Sequence, residues 1–337
     1  MKQISADRIK GSILGSLVAD CAATPLHWVY DGTIVAKAVG KHKTEPEFHP
    51  DYISKYYHPE PGSLSTYGEE NLALLNSLAG ANKFDIENYK QKIRELFTNP
   101  KYEKKGSERP VGYLNKCIRH FLSTNGSSTP DDDQANCYAK IPPLVCLYAG
   151  HPDFIKIITD CIKVTQSDQI ALDYGLLAAR LLEKILLCDD DNINIENIMQ
   201  ELAKEDQLFS KTLEQIDSVT EENTLHKLIP ILSSEDSSAI LQLGNSCHLP
   251  GNFELSTYFI RSLENNDNYK SRIRRCIVAT GDNCSRILFI GSCLGAINGL
   301  KGIPDEWINK TKDYKQYEKL ADSIVDARKQ LIQKLNG

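Results

Sequence analysis

A chain of 337 residues is long enough to bury a core without disulfides or a structural metal. Its 25% charged and 41% hydrophobic residues are ordinary for a globular protein, and its net charge of −6 argues against nucleic acid as a partner, because phosphate binding needs a basic surface. No apolar run reaches the roughly 18 residues that would span a membrane. Ten cysteines occur without a Cys-x-x-Cys pair, which favours buried thiols in a reducing, cytoplasmic compartment over a zinc site. The sequence does not indicate an oligomeric state.

Helical periodicity dominates the chain from its first residues. Ser5 or Asp7 is a plausible N-cap for the first helix. Apolar residues recur at helical spacing in five stretches: Ile9 to Val18, Leu72 to Leu78, Ile170 to Ile185, Ile287 to Ile297 and Tyr317 to Leu335. The polar segments 40–66, 98–110 and 122–134 read as loops, and the short strand-like run CIVAT at 276–280 does not outweigh its helical neighbours. These patterns predict one all-α domain over residues 1–337.

Three glycines share one face of the helix that begins near residue 283. Gly291, Gly295 and Gly299 are spaced at i, i+4 and i+8. Glycine costs about 1 kcal/mol relative to alanine inside a helix, so three on one face predict that another backbone packs closely there. Tight core packing is the simplest explanation.

Four segments combine polar side chains with tightly apolar surroundings. They are ADCAATPLHWVYD with Asp20 and His27, STYGEENLALL with Glu69 and Glu70, NCYAKIPPLVCLYAG with Asn136 and Lys140, and TGDNCSR with Asp282, Cys284 and Ser285. Each has a structural explanation, since acidic residues stabilise the first turn of a helix and a lone histidine beside a tryptophan is more often structural than catalytic. The sequence lacks GxGxxG, GxxxxGK[ST], HExxH and GxSxG motifs.

In this order and spacing, the four segments resemble the ADP-ribosylglycohydrolase family over nearly the whole chain. The stretch TGDNCSRILFIGSCLGAINGLKGIPDEWI is the most specific, because it resembles both the closing acidic helix of the family and its Gly-Ile-Pro-x-x-Trp tail. The resemblance implies a compact orthogonal multi-helix bundle. It also implies an enzyme that holds two magnesium ions between acidic motifs and cleaves the bond linking ADP-ribose to a side chain.

The resemblance places the family's first acidic positions on mostly non-acidic residues here. The glutamate that ends the family's opening turn falls on His27. The Thr-Asp-Asp run falls on Tyr67, Gly68 and Glu69, although a shift of one residue would bring in Glu70. One carboxylate therefore remains where the family has three.

The closing motif is altered as well. The family's Asp-Thr-Asp-Thr run falls on Asp282, Asn283, Cys284 and Ser285, so that one carboxylate and one hydroxyl remain and a soft thiol replaces a hard ligand. Five carboxylates become two, which is too little charge for a pair of magnesium ions. We expect no cofactor or at most one weakly held magnesium ion, and we expect the ordinary family reaction to be absent or very slow.

A narrower resemblance links SLVADCAATPLHWVYDG, STYGEENLALLNSLAG, NSCHLPGNFE and GDNCSR to the branch that contains the J-type crystallins of jellyfish lenses and selenoprotein J of fish. It implies an abundant, soluble structural protein. Three alternatives remain open. They are a hydrolase with a metal-poor site that uses Asp282, Glu69 and His27, a redox role for Cys247 or Cys284, and a pocket that binds ADP-ribose without cleaving it. Cys247 enters because it matches the selenocysteine position of selenoprotein J.

Overall fold

The computed structural model describes residues 1–42, 45–81, 83–103, 108–188, 193–220, 225–261 and 268–336. Within these ranges the protein is all-α, with only isolated β-bridges in place of strands. The helices are α1 Ala6–Ala23, α2 Gly32–His42, α3 Thr66–Ala81, α4 Ile86–Phe97, α5 Lys116–Ser123, α6 Asn136–Ala139, α7 Pro142–Tyr148, α8 Phe154–Lys163, α9 Gln169–Leu187, α10 Ile195–Glu205, α11 Gln207–Asp217, α12 Leu225–Leu228, α13 Ser234–Leu243, α14 Gly251–Arg261, α15 Tyr269–Val278, α16 Asn283–Asn298, α17 Asp305–Lys310 and α18 Tyr314–Asn336. The all-α prediction is confirmed, and the CIVAT run lies largely within α15.

Helices α1 and α16 form the central pair of the bundle, and they touch backbone to backbone. A Cβ atom added to Gly295 would lie 1.9 Å from the carbonyl oxygen of Gly11, and one added to Gly15 would lie 2.7 Å from that of Gly291. The hydroxyls of Ser12 and Ser292 share a hydrogen bond of 2.7 Å across the same crossing. The predicted close approach is confirmed for all three glycines, since a Cβ atom added to Gly11 would also lie 2.9 Å from the carbonyl carbon of Gly299.

The third glycine of that face has an additional role. Gly299 ends α16 with a φ of +68°, a left-handed conformation that favours glycine. At the start of α1, Ser5 is the N-cap and accepts a hydrogen bond from the backbone N–H of Arg8. None of the described helices combines the length and apolar character needed to cross a bilayer.

The C-terminal end of α1 and the N-terminal end of α16 meet at a short bridge, which positions the polar residues of both segments. A single 3₁₀ turn, Thr24–Leu26, follows α1. Trp28 N–H then donates to the carbonyl of Gly281 at 2.9 Å, and Gly281 N–H donates to that of Val29 at 2.8 Å. The first and the last of the four polar segments are therefore joined directly.

Candidate functional site

His27 and Asp282 form a buried pair at this junction. The Nε2 atom of His27 lies 2.8 Å from Oδ1 of Asp282, and its Nδ1 atom lies 2.7 Å from the hydroxyl of Tyr57. Ser285 donates its hydroxyl to Oδ2 of Asp282 at 2.7 Å. Asp282 occupies the N-cap position of α16, but its carboxylate makes no capping bond to the helix backbone. Its two oxygens are instead hydrogen-bonded to the side chains of His27 and Ser285.

The surroundings fix the charge of this pair. Burial lowers the pKa of His27, against the opposing hydrogen bond and charge of Asp282, so the imidazole is neutral at neutral pH. Burial alone would raise the pKa of Asp282, but His27, Ser285 and the charge of Arg286 lower it below its usual value. Because a carboxylate only accepts, the neutral ring donates from Nε2 and accepts the Tyr57 hydroxyl proton at Nδ1. No nitrogen of His27 is left to accept a proton from a substrate.

Glu69, the second remaining carboxylate of the aligned positions, is paired with a neighbouring 3₁₀ turn, Pro100–Tyr102. Lys101 forms an ion pair with Oε1 of Glu69, and the hydroxyl of Tyr102 donates to Oε2 at 2.8 Å. Burial raises the pKa of Glu69, although the charge of Lys101 opposes that effect. Both oxygens of Glu69 are therefore occupied by protein donors.

Glu70 belongs to a separate polar group. Its Oε1 atom accepts from the side-chain amides of Asn115 at 2.7 Å and Asn136 at 2.6 Å. Burial raises the pKa of Glu70 to about 7, and the charge of Lys140 counters part of that rise. A shift of the alignment by one residue would thus bring in another carboxylate that already has partners.

Asp20 fills the space beside the altered Thr-Asp-Asp positions. Its two oxygens accept from the backbone N–H of Ser65 at 2.7 Å and from the Ser65 hydroxyl at 2.6 Å. A Cβ atom on Gly68 would lie 2.1 Å from Oδ2 of Asp20, so a larger residue at 68 would displace this carboxylate. Burial raises the pKa of Asp20 to about 7 despite the Ser65 hydrogen bonds.

The thiol of Cys284 and the ring of Tyr67 complete the buried surroundings. Burial, with the charges of Asp20 and Asp282, raises the pKa of Cys284 well above its ordinary value, so the side chain is a thiol and not a thiolate. Tyr67 packs edge-on against His27 with ring centroids 5.7 Å apart, and both residues are fully buried. Neither side chain presents a hard, charged ligand.

These residues do not fit a two-magnesium centre. Magnesium takes about six oxygen ligands in near-octahedral geometry. The oxygens of Asp282 and Glu69 are held by His27, Ser285, Lys101 and Tyr102, and Cys284 supplies a protonated sulfur. A metal ion would have to displace at least one of those side chains.

A cleft of about 190 Å³ lies on the other side of Trp28 from His27. Its lining is mostly aromatic and basic: Trp28, Tyr30, Tyr56, Tyr113, Asn115, Lys116, Arg119, Gln134 and Cys247. Trp28 stacks on His27 with ring centroids 4.2 Å apart, which places this indole between the cleft and the His27–Asp282 pair. The cleft is smaller than the roughly 300–1,000 Å³ typical of small-molecule sites.

Cys247 lines the cleft and is half-buried, but it is not activated. Burial and the charge of Asp282 raise the pKa of its thiol to about 12. A redox thiol needs the opposite shift, toward the thiolate. Eight of the other cysteines are fully buried, as predicted for small core thiols.

A second acidic group lies outside these motifs. Carboxylate oxygens of Glu45, Glu47 and Glu306 come within 4.8 Å of one another. Lys270 and Arg274 form ion pairs with these carboxylates, including an Arg274–Glu47 contact of 2.7 Å. The group is therefore an ion-pair network in which two cations face three carboxylates.

Sequence patterns indicated His27, Glu69, Asp282 and Ser285, and the structure brings all but Glu69 into direct contact. They missed Tyr57 and the Lys101–Tyr102 turn, which come from loops with no recognisable motif. They also missed Trp28 as the side chain that covers the pair, although its position next to His27 was visible.

The comparisons with known proteins agree with this architecture. The chain belongs to the ADP-ribosylglycohydrolase family, whose sequence model matches residues 1–333. Among curated proteins it is similar to crystallin J1A of Tripedalia cystophora, with 27% identity over 94% of this chain and 96% of the relative. Crystallin J1B of the same organism is 25% identical over 95% of this chain and 96% of that protein. Among solved structures, an ADP-ribosylglycohydrolase-related protein complex has a TM-score of 0.67 at 17% identity, covering 96% of this chain and 98% of that one, which shows the shared fold.

Proposed function

We propose that this chain is a crystallin-like structural protein, of the kind that fills a lens cell, and that it does not catalyse the ordinary hydrolysis of its family. One observation carries the proposal. Glu69 and Asp282 are the two carboxylates left at the aligned metal positions. Each of their four carboxylate oxygens already accepts a hydrogen bond or an ion pair from a protein group. The similarity to crystallins J1A and J1B over nearly the full length supports the structural role.

The buried network explains how such a chain remains stable without metal ions. A buried carboxylate without a partner destabilises the folded state by several kcal/mol. A chain that loses the metal ion bound by such a carboxylate is therefore normally less stable. Here His27, Lys101 and the nearby hydroxyls replace the missing cations as partners. We infer a single folding unit over residues 1–337, in a cytoplasm whose reducing conditions suit the many buried thiols.

A metal-poor hydrolase is the second candidate, and the His27–Asp282 hydrogen bond favours it. A carboxylate that orients an imidazole is a recurrent arrangement in general-base catalysis. Trp28 and Tyr57 would both have to move before His27 could meet a substrate, because His27 has no exposed surface. The structural proposal needs no such rearrangement.

Calorimetric titration with ADP-ribose, with and without excess magnesium chloride, tests the proposal. The wild-type chain is compared with Asp282→Asn, which would remove the remaining charge of the closing motif. We expect that magnesium does not change the heat of ADP-ribose binding for either protein. If the wild type binds ADP-ribose in a magnesium-dependent way and Asp282→Asn abolishes that binding, the hydrolase is favoured over the structural protein.

A further inference from the structure

A cluster of four aromatic side chains joins the cleft to the interior of the protein. This Trp28 cluster consists of Trp28, Tyr56, Tyr57 and Tyr113. The ring centroid of Trp28 lies 5.2 Å from that of Tyr56 and 4.9 Å from that of Tyr113, on the cleft side. On the inner side it lies 5.7 Å from that of Tyr57. Tyr56 is 49% exposed and Tyr57 is 1% exposed, so rings in contact lead from the surface to a buried phenol.

The hydroxyl of Tyr57 begins a hydrogen-bonded chain of three side chains. It lies 2.7 Å from Nδ1 of His27, and Nε2 of His27 lies 2.8 Å from Oδ1 of Asp282. Because the neutral imidazole donates to Asp282, its Nδ1 lone pair accepts from Tyr57. The phenol therefore has a base in contact, and the carboxylate stabilises the imidazolium that forms when this base takes up a proton.

This chain gives Tyr57 a chemistry that an isolated buried tyrosine lacks. Loss of one electron turns a phenol from a weak acid into a very strong one, so a tyrosine is oxidised easily only where its proton has an acceptor. Burial raises the pKa of Tyr57 well above its ordinary value, so the hydroxyl keeps its proton until an electron leaves. Among the described residues, Tyr57 is the member of the Trp28 cluster whose hydroxyl lies within hydrogen-bond distance of an imidazole.

We propose that the Trp28 cluster carries oxidising equivalents from the cleft to Tyr57 and holds them there reversibly. A one-electron oxidant, such as a small radical that enters the cleft, takes an electron from Trp28. The Trp28 radical cation then takes an electron from Tyr57, whose O–H bond breaks as its proton forms an N–H bond at Nδ1 of His27. The products are neutral Trp28, a neutral Tyr57 phenoxyl radical and a protonated His27 beside the Asp282 carboxylate.

The return step restores all of these side chains. A soluble reductant such as ascorbate, which is itself oxidised to its radical, supplies one electron to Tyr57 through the same rings, and His27 returns the proton. Trp28 is thereby protected from the slower, irreversible reaction of its radical with dioxygen. This activity does not depend on the structural role proposed above.

Pulse radiolysis with the azide radical tests the transfer, because that radical oxidises indole in preference to phenol. Trp307, the other tryptophan, is fully buried, so Trp28 is the indole that the radical meets first. We expect the absorption of the tryptophanyl radical to decay as that of a tyrosyl radical grows, at a rate independent of protein concentration. The decay should be slower in D₂O, because a proton moves with the electron.

Two variants identify the tyrosine that is oxidised. Tyr57→Phe removes the proton donor and should slow the decay of the tryptophanyl radical several-fold. Tyr89→Phe is the matched control and should leave the decay unchanged, since Tyr89 is also 1% exposed but packs against Phe84, outside the cluster. Equal decay rates in the wild type and Tyr57→Phe, or equal rates in H₂O and D₂O, would overturn the proposal.

Electron paramagnetic resonance of the frozen wild type provides a readout that does not depend on a folded variant. The tyrosyl radical should show a hyperfine coupling to one exchangeable proton, the proton on Nδ1 of His27, and D₂O should replace it with a deuterium coupling. A tyrosyl radical without this coupling means that a tyrosine other than Tyr57 is oxidised, and the proposal then fails.

Discussion

The altered positions compensate one another at the level of single side chains. His27 provides a donor for Asp282, and Gly68 leaves the space that Asp20 occupies. The bond from Tyr57 closes the network on the far side of the imidazole. Loss of His27 or Tyr57 would leave a buried polar atom without a partner, which is unfavourable. Together these residues give the buried carboxylates of Asp20 and Asp282 partners from the protein itself.

Asp20→Asn should change how stability depends on pH. The pKa of Asp20 rises from 3.8 to about 7 on folding because of burial, so the folded state holds this proton more tightly. Its contribution is greatest below the unfolded pKa and is lost as pH rises toward 7. As pH rises from 5 to 8, the free energy of unfolding of the wild type should therefore fall by roughly 2 kcal/mol relative to that of the variant, which has no carboxyl group at this position.

Urea unfolding across this pH range measures the difference. Asp326→Asn serves as the control, because its side chain is 69% exposed and should leave the pH profile unchanged. A variant whose profile runs parallel to that of the wild type would show that Asp20 does not take up a proton in this range.

At the level of helices, the α1–α16 crossing depends on glycine at two facing levels. Gly11 opposes Gly295, and Gly15 opposes Gly291. The crossing brings the two polar segments together, because the carboxyl end of α1 and the amino end of α16 flank the junction at Trp28 and Gly281. The geometry of the buried pair therefore rests on the absence of four side chains.

Gly295→Ala should destabilise the fold by about 3 kcal/mol or more, since the new methyl group would lie 1.9 Å from a backbone oxygen that cannot turn aside. Gly80→Ala is the matched control near the end of α3, where a Cβ meets nothing within 4 Å. It should be neutral or stabilise the fold by up to about 1 kcal/mol. Chemical denaturation compares the two, and similar unfolding midpoints would refute the close-packing explanation.

Local patterns predicted the helices well and the site only in part. The periodicity around Ile13 and Ile290 depends on residues close in sequence, so it can be recognised without a structure. The partners of Glu69 come from a loop about thirty residues later, and Tyr57 lies in another irregular segment. Loops have no regular sequence pattern, so the sequence does not predict which of their side chains will contact a carboxylate far along the chain.

For the whole molecule, the proposed role depends on behaviour at high concentration. With a net charge of −6, copies of the chain repel one another when little salt is present. Light scattering at low ionic strength should give a positive osmotic second virial coefficient. It should fall as sodium chloride is added, because the screening length shrinks to about 10 Å at 0.1 M. A negative coefficient at low salt would contradict a protein suited to dense packing in a cell.

The stacking of Trp28 on His27 gives the molecule an intrinsic optical reporter. The chain has two tryptophans, and Trp307 is fully buried, with its indole N–H close to Glu47. Trp28 lines the cleft and is the half-buried one of the two. Trp28 should emit at longer wavelength and be quenched by a small solute, so these signals report on the cleft. Trp307 should emit at shorter wavelength, and its emission reports on the core. Fluorescence can thus follow entry into the cleft without any label.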